Sequence, residues 1–204
     1  DLTPNVVGTW GTVPATRSVY LGARSKLRQF LADEDDRTIL YSSDANLALA
    51  DTNASLFHSG REIEREFRDG MVGRFGGFDF YEDQAIPLHT NGAGTGYLVS
   101  GAGQSGSTLV VDTGTGALTK GTVFTIAGVF AVHPITGVST GQLRQFVVTS
   151  AYAGGGGSVS IYPAIVPTTA SVIGTVSAAP ADNAAITVFG TASQAKRQHL
   201  AFQQ

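Results

Sequence analysis

Val123-Phe124-Thr125-Ile126, a two-residue gap, and Val129-Phe130-Ala131-Val132 stand in the middle of a stretch with almost no charge. Short runs of β-branched and aromatic residues are the composition of strands. Similar runs recur on both sides, as Tyr97-Leu98-Val99, Thr108-Leu109-Val110-Val111, Phe146-Val147-Val148-Thr149, Val159-Ser160-Ile161-Tyr162 and Ile186-Thr187-Val188-Phe189. Between most of them lie turn residues such as Asp112-Thr113-Gly114, Pro134-Ile135-Thr136-Gly137 and the glycine run 154–157. Strands this short, at this spacing, predict a small antiparallel barrel or sandwich beyond His89. The four glycines read as a mobile hairpin loop, because glycine holds no fixed shape unless something packs on it.

Before that point the chain is built differently. Of its 29 charged residues, 23 fall between Asp1 and Leu88 and six are spread over the remaining 116 positions. Pro14 sits where a helix can begin, and Val19, Ala23, Leu27 and Phe30 share one face, so a helix is expected over about 15–32. The run Asp33-Glu34-Asp35-Asp36 opposes the carbonyl end of a helix dipole and belongs to a solvated turn. It lacks the interleaved ligands and turning glycine of a calcium loop. A second helix is expected with Asp44 as cap and Leu47, Ala50, Ala54 and Phe57 along one side. A third carries a Ser59/Glu62 capping box, an Ile63–Phe67 pair and Gly70 as terminator. Its Arg61–Glu64, Glu64–Arg68 and Arg65–Asp69 spacings make an ion-pairing outer face. Phe78-Asp79-Phe80-Tyr81 then alternates as a strand after Gly76-Gly77. The first module is therefore α+β.

Composition narrows the function classes. A net charge of −3 over 204 residues gives no basic face for nucleic acid. The absence of cysteine removes disulfides, zinc–thiolate sites and thiol nucleophiles. No apolar run reaches the ~18 residues of a spanning helix. A chain that starts Asp1-Leu2-Thr3-Pro4, with neither Met nor a signal peptide, reads as a fragment or a processed form.

No catalytic, cofactor or metal residues emerge. Gly101-Ala102-Gly103-Gln104-Ser105-Gly106 matches a dinucleotide fingerprint as a string. That motif works only where a helix begins, and here a strand comes next, Ser107-Thr108-Leu109-Val110-Val111. His58, His89, His133 and His199 show no ligand spacing. No serine is expected as a nucleophile on a strand-to-helix elbow. Glu82 and Asp83 are adjacent on an extended segment and point to opposite faces, which does not suit a paired acid and base. Asn53-Ala54-Ser55 is formally a glycosylation acceptor, but it falls inside an expected helix.

Three stretches carry a resemblance instead. Residues 77–90 (GFDFYEDQAIPLHT), 118–129 (LTKGTVFTIAGV) and 139–148 (STGQLRQFVV), extended by 176–188 (VSAAPADNAAITV), resemble the coat proteins of short-tailed bacteriophages of the P-twenty-two type. The resemblance implies the capsid fold shared by tailed phages and herpesviruses (Hong-Kong-ninety-seven type), interrupted by an inserted antiparallel β-barrel. On that reading 1–88 is an α+β part of the axial domain, 89–190 the insertion, and 191–204 a truncated return into the axial domain. The implied role is a structural one, a major capsid protein that self-assembles into an icosahedral head around the DNA genome. Its implied partners are other coat subunits in hexamers and pentamers, a scaffolding protein and a portal, with DNA met only indirectly, no membrane and no cofactor. Assembly in the host cytoplasm and residence in the virion go with this. The best-known member of the family has a long charged loop early in the insertion that bridges neighbouring capsomers, where this chain has only Gly101–Gly106, so the sequence leaves ion pairs between capsomers through that loop undecided. A second insertion loop is retained around Pro134–Gln142. The alternatives from other classes are a β-rich carbohydrate-binding or adhesion module using Trp10, Tyr97, Tyr152 and Tyr162 as ring platforms, and a hydrolase with an incomplete site.

Overall fold

The computed structural model describes residues 4–53, 73–169 and 173–203. By internal contact the chain divides into two compact units, one of residues 1–6 with 90–195 and one of residues 7–89 with 196–204. The expected third helix and its charged face, with Ala54, Ser55, Phe57 and His58, lie outside the described residues.

The discontinuous unit contains α1 (Arg17–Gln29), β1 (Arg37–Tyr41), α2 (Ser43–Asn53), β2 (Arg74–Phe75) and β3 (Phe78–Glu82). The chain leaves this unit through β4 (Leu88–Thr90), returns through β11 (Ala195–Arg197) and ends in β12 (Leu200–Gln203). Its sheet has the order β12-β1-β3-β2, with β1 parallel to β3 and antiparallel to β12. A strand from beyond residue 195 thus completes a sheet begun at residue 37.

α1 is shorter than its periodicity suggests. Leu31 takes φ 61°, and the amides of Leu31 and Ala32 return to the carbonyls of Arg28 and Leu27 at 3.0 Å each, which closes the helix. Its buried residue is Tyr20, whose ring meets Phe80 edge-on at 5.2 Å and whose hydroxyl donates to the Pro14 carbonyl at 3.0 Å. Val19 and Phe30 are only half-buried, while Leu27 packs on the core. α2 is phased differently from the expectation. Ala45 and Leu49 face the core and Leu47 is 74% exposed. The capping residue is Ser42, whose Oγ accepts from the Ala45 amide at 3.4 Å, and Asp44 lies one place inside the first turn. The core joins Tyr20, Ile39, Tyr41, Ala45, Leu49 and Phe78. Beside it Arg37 is 1% exposed, with its guanidinium donating to the Asp33 and Ala32 carbonyls at 2.6 and 2.7 Å. Those two bonds let a buried charge tie down the acidic turn, where Glu34 also meets Arg28 at 2.8 Å.

The other unit is a six-stranded antiparallel sheet, ordered β10-β7-β8-β9-β6-β5. The strands are β5 (Leu98–Val99), β6 (Gly106–Asp112), β7 (Val123–Val132), β8 (Ser139–Val148), β9 (Gly157–Ile165) and β10 (Ile186–Val188). Its two end strands meet. Leu98 bridges Ala185, the Val99 amide donates to the Ala184 carbonyl at 3.0 Å, and the Ile186 amide donates to the Tyr97 carbonyl at 3.0 Å. The sheet therefore closes into a barrel, which satisfies the edges that an open sheet leaves unpaired.

Alternation fills it. Val159, Ile161 and Ile165 of β9 point inward while Ser158, Ser160 and Tyr162 face out. Phe124, Ile126, Phe146, Val148, Leu109 and Val111 complete the interior, with Phe124 stacked on Phe146 at 5.8 Å. The two runs at 123–126 and 129–132, read as separate strands, are one ten-residue strand with a bulge. Gly128 at φ 78° supplies the backbone that lets the register jump between Thr125 and Phe130. The glycine loop 154–157 is packed rather than free, since the Tyr152 hydroxyl donates to the Gly155 carbonyl at 2.9 Å.

Candidate functional site

Among the described residues, those that sequence motifs single out are occupied with the fold. Gly101–Gly106 is the β5–β6 hairpin, closed from inside by Gln104. Its Nε2 donates to the Ser100 and Val110 carbonyls at 2.7 and 3.0 Å, and its Oε1 accepts from the Val110 amide at 2.6 Å. The Gly101 amide donates to Asp182 Oδ1 at 2.7 Å and the Gly103 amide to the Pro180 carbonyl at 2.9 Å. Two amides that a phosphate would need are therefore already used.

Glu82 and Asp83 likewise serve separate local purposes. Glu82 accepts from the Ser43 hydroxyl and, at 2.9 Å, from Asn46 Nδ2, which fastens β3 to the start of α2. Asp83 Oδ1 accepts from the Ala85 amide at 2.8 Å and shapes the next turn. The three described histidines sit in unrelated places, His89 on β4, His133 at the tip of the β7–β8 hairpin and His199 just before β12. Among the described residues no group of three or more His, Asp or Glu could hold a metal ion. Trp10 and Tyr97 are 6% and 1% exposed, so neither offers a platform to a sugar ring.

What the structure does present is surface for contact. The β7–β8 hairpin narrows to a tip that is rigid and apolar. His133 donates its amide to the Val138 carbonyl and accepts from the Gly137 amide through its own carbonyl, both at 2.9 Å. His133 Nδ1 also accepts from the Ile135 and Thr136 amides at 3.3 Å each. This cage holds out Ile135 and Val138, 76% and 65% exposed. The tip lies in the loop expected around Pro134–Gln142, although Ser139 to Gln142 already belong to β8. Sequence reading placed both residues in a turn and loop and gave neither an exposed apolar role.

A second arrangement that the sequence did not reveal lies in the discontinuous unit. Trp10 stands between the strands that lead out of and back into that unit. The His89 ring of β4 meets it edge-on at 5.8 Å, and Lys196 Nζ of β11 lies 3.5 Å above its centroid. Burial pushes the Lys196 ammonium down to about 8, while the indole face beneath it favours the charged form and opposes part of that push. In the unfolded chain the same amine titrates near ~10.4, so between about pH 8 and pH 10 the folded state carries the fewer protons, and stability rises with pH there. Burial and the neighbouring Tyr41 push Tyr20 up to about 12. Its contribution has the opposite sign, and stability falls as pH climbs from ~10 towards that value. Urea unfolding followed through Trp10, the single tryptophan, will therefore show this unit most stable near pH ~10. Lys196→Met will remove the rise above pH ~8 and keep the later fall; an unchanged rise in that variant would contradict the assignment.

Comparison with known proteins bears on the barrel half. The family model described as P22 coat protein, gene protein 5, matches residues 104–202. Among solved structures, the CUS-3 coat protein I-domain is similar at 28% identity, over 52% of this chain and 97% of that chain, with a TM-score of 0.35. No curated protein matches the chain.

Proposed function

We propose that the chain, whose residues 104–202 match the P22 coat protein family model, is a structural protein of the viral capsid that builds an icosahedral head of hexamers and pentamers around the phage genome. The observation that carries this reading is the interrupted sheet. β1 and β3 precede the barrel, β12 follows it, and the three pair in one sheet. A closed barrel whose chain interrupts an α+β sheet suits an axial domain carrying an inserted domain. In this reading 1–88 and 191–204 are axial and 89–190 is the insertion.

Shell building needs contact surfaces rather than a reaction centre. Identical subunits meet through heterologous contacts that close into rings and then a shell, and many modest interfaces together make it stable. The barrel's neutral surface and the hairpin tip with Ile135 and Val138 suit such contacts. The Gly101–Gly106 hairpin carries no charge and is closed on itself through Gln104, so it offers no ion pair to a neighbouring capsomer. Scaffolding protein and portal are partners during assembly in the host cytoplasm.

The test is assembly itself. The protein, made together with a scaffolding protein from its own phage, will form uniform closed shells visible by electron microscopy. Monomers that never assemble and instead bind glycans on an array would overturn the reading.

A further inference from the structure

The amide of Ser42 is the point where two elements of the discontinuous unit meet. Ser42 is 3% exposed, and its N–H donates to His199 Nδ1 at 3.3 Å. The same residue begins α2, with its carbonyl accepting from the Ala45 and Asn46 amides at 2.9 and 3.0 Å. His199 immediately precedes β12, the edge strand of the four-stranded sheet, whose first residue Leu200 pairs with Leu40. One hydrogen bond therefore joins the end of β1 and the amino terminus of α2 to the root of an edge strand.

That bond exists only while Nδ1 carries no proton. An imidazolium is a donor at both nitrogens, so it faces the Ser42 N–H donor to donor and leaves a buried amide without an acceptor. The groups around it weigh on the same choice. Arg197 and Lys196 of β11 add positive charge, the amino terminus of α2 adds its dipole, and His89 of β4 lies on the strand paired with β11. Asp44 opposes them, but it is shared with Arg197 at 3.5 Å. Glu82 at the same helix terminus is engaged by Ser43 and Asn46. Burial first, then Arg197 and Lys196, hold His199 below the ordinary imidazole range.

We propose that His199 is an acid-operated latch, which as neutral imidazole ties the root of β12 to the amino terminus of α2 and as imidazolium lets that edge strand go. The folded form binds the proton less readily than the unfolded chain, so the latch is closed at neutral pH and opens as pH falls below ~6.5. Release bares the edge of β1, a row of backbone donors and acceptors available to another strand.

Hydrogen exchange on the whole chain, with rates corrected for the intrinsic effect of pH, tests this between about pH 7.5 and about pH 5. The Ser42 amide and the β12 amides will lose protection by about tenfold or more, the effect of one buried hydrogen bond and its desolvation. His199→Asn keeps an acceptor at the Nδ1 position that cannot be protonated, and its loss over the same range will stay below about twofold. Equal losses in both proteins, or none in the unaltered chain, would overturn the proposal. Should the variant not fold, nuclear magnetic resonance titration of His199 in the unaltered chain decides. A midpoint below ~6.5 tracked by the Ser42 amide supports the latch, and one at or above ~6.5 refutes it.

Discussion

Gly116→Ala will lower the melting temperature of the barrel by about 12 °C or more, the shift that ~3 kcal/mol brings to a domain near this size. Two costs coincide at this position. Gly116 has φ +77°, where a side chain is strained by about 1–2 kcal/mol. An added Cβ would also lie 2.4 Å from the Ala93 carbonyl oxygen and 2.7 Å from its carbon, and backbone cannot swing aside as a side chain can. The Gly116 carbonyl is moreover the acceptor for the buried Tyr97 hydroxyl, so any shift disturbs the core beneath. Gly96→Ala separates the two costs. Gly96 has φ +69° with nothing within 4 Å of an added Cβ, and its penalty will be the strain alone, about 1 kcal/mol. Thermal unfolding by circular dichroism measures both. Equal shifts in the two variants would show that the close approach to Ala93 does not matter.

Phe146→Ala will destabilise the barrel by about 3–5 kcal/mol, the cost of losing a buried ring and leaving a cavity that a closed barrel cannot collapse around. Phe146 is 0% exposed, lies against Phe124 with ring planes 26° apart, and pairs with it across β7 and β8. The cavity opens at the strand pair that carries the bulge, where the backbone is already committed. Tyr162→Ala, on the outer face of β9 and 56% exposed, will change stability by less than about 0.5 kcal/mol. Chemical denaturation of the two variants decides. A Phe146 penalty no larger than that of Tyr162 would mean that the ring pair is not the centre of the core.

The barrel was legible in the chain because its strands alternate and its turns carry turn residues. Val159 and Ile161, alternating with Ser158 and Ser160, announce a half-buried strand before any partner is known. Whether such strands close as a barrel or lie as a sandwich depends on Tyr97–Val99 meeting Asn183–Ile186, a pairing across more than eighty residues that no local pattern encodes. Gly128 was ambiguous for a similar reason. A glycine between two apolar runs reads equally as a turn or as a bulge, and only the register with β8 decides.

In the α+β unit local signals misled where tertiary pairing took over. Leu47 and Leu49 are equally apolar, yet Leu49, with Ala45, is the one against Ile39 and Phe78, because the Ser42 cap sets the helical phase. β1 went unread because Arg37-Thr38-Ile39-Leu40-Tyr41 follows four acidic residues and owes its strand form to β3 and β12 on its two sides. Arg37, charged yet buried, is visible only once the Ala32 and Asp33 carbonyls are in place. The stack of His89, Trp10 and Lys196 and the bond from Ser42 to His199 are likewise long-range, and histidine spacing gives no hint of either. The resemblance to a coat-protein family was legible for another reason. Whole strings such as LTKGTVFTIAGV are more specific than any short motif, and that string falls in the matched residues 104–202.

On the proposed reading, the barrel is a guest in a capsid subunit and has to stand without its host. Expressing residues 90–195 alone and following strand-type circular dichroism on heating is the direct measurement. A self-contained barrel will unfold in one cooperative transition, within about 5 °C of the barrel transition in the whole chain. The small deficit reflects the lost bonds between Gln145 and the Val6 backbone, at 2.6 and 3.0 Å in the whole chain. A disordered product, or one that melts without cooperativity, would contradict the barrel's independence and with it the reading of this chain as a capsid domain carrying an insertion.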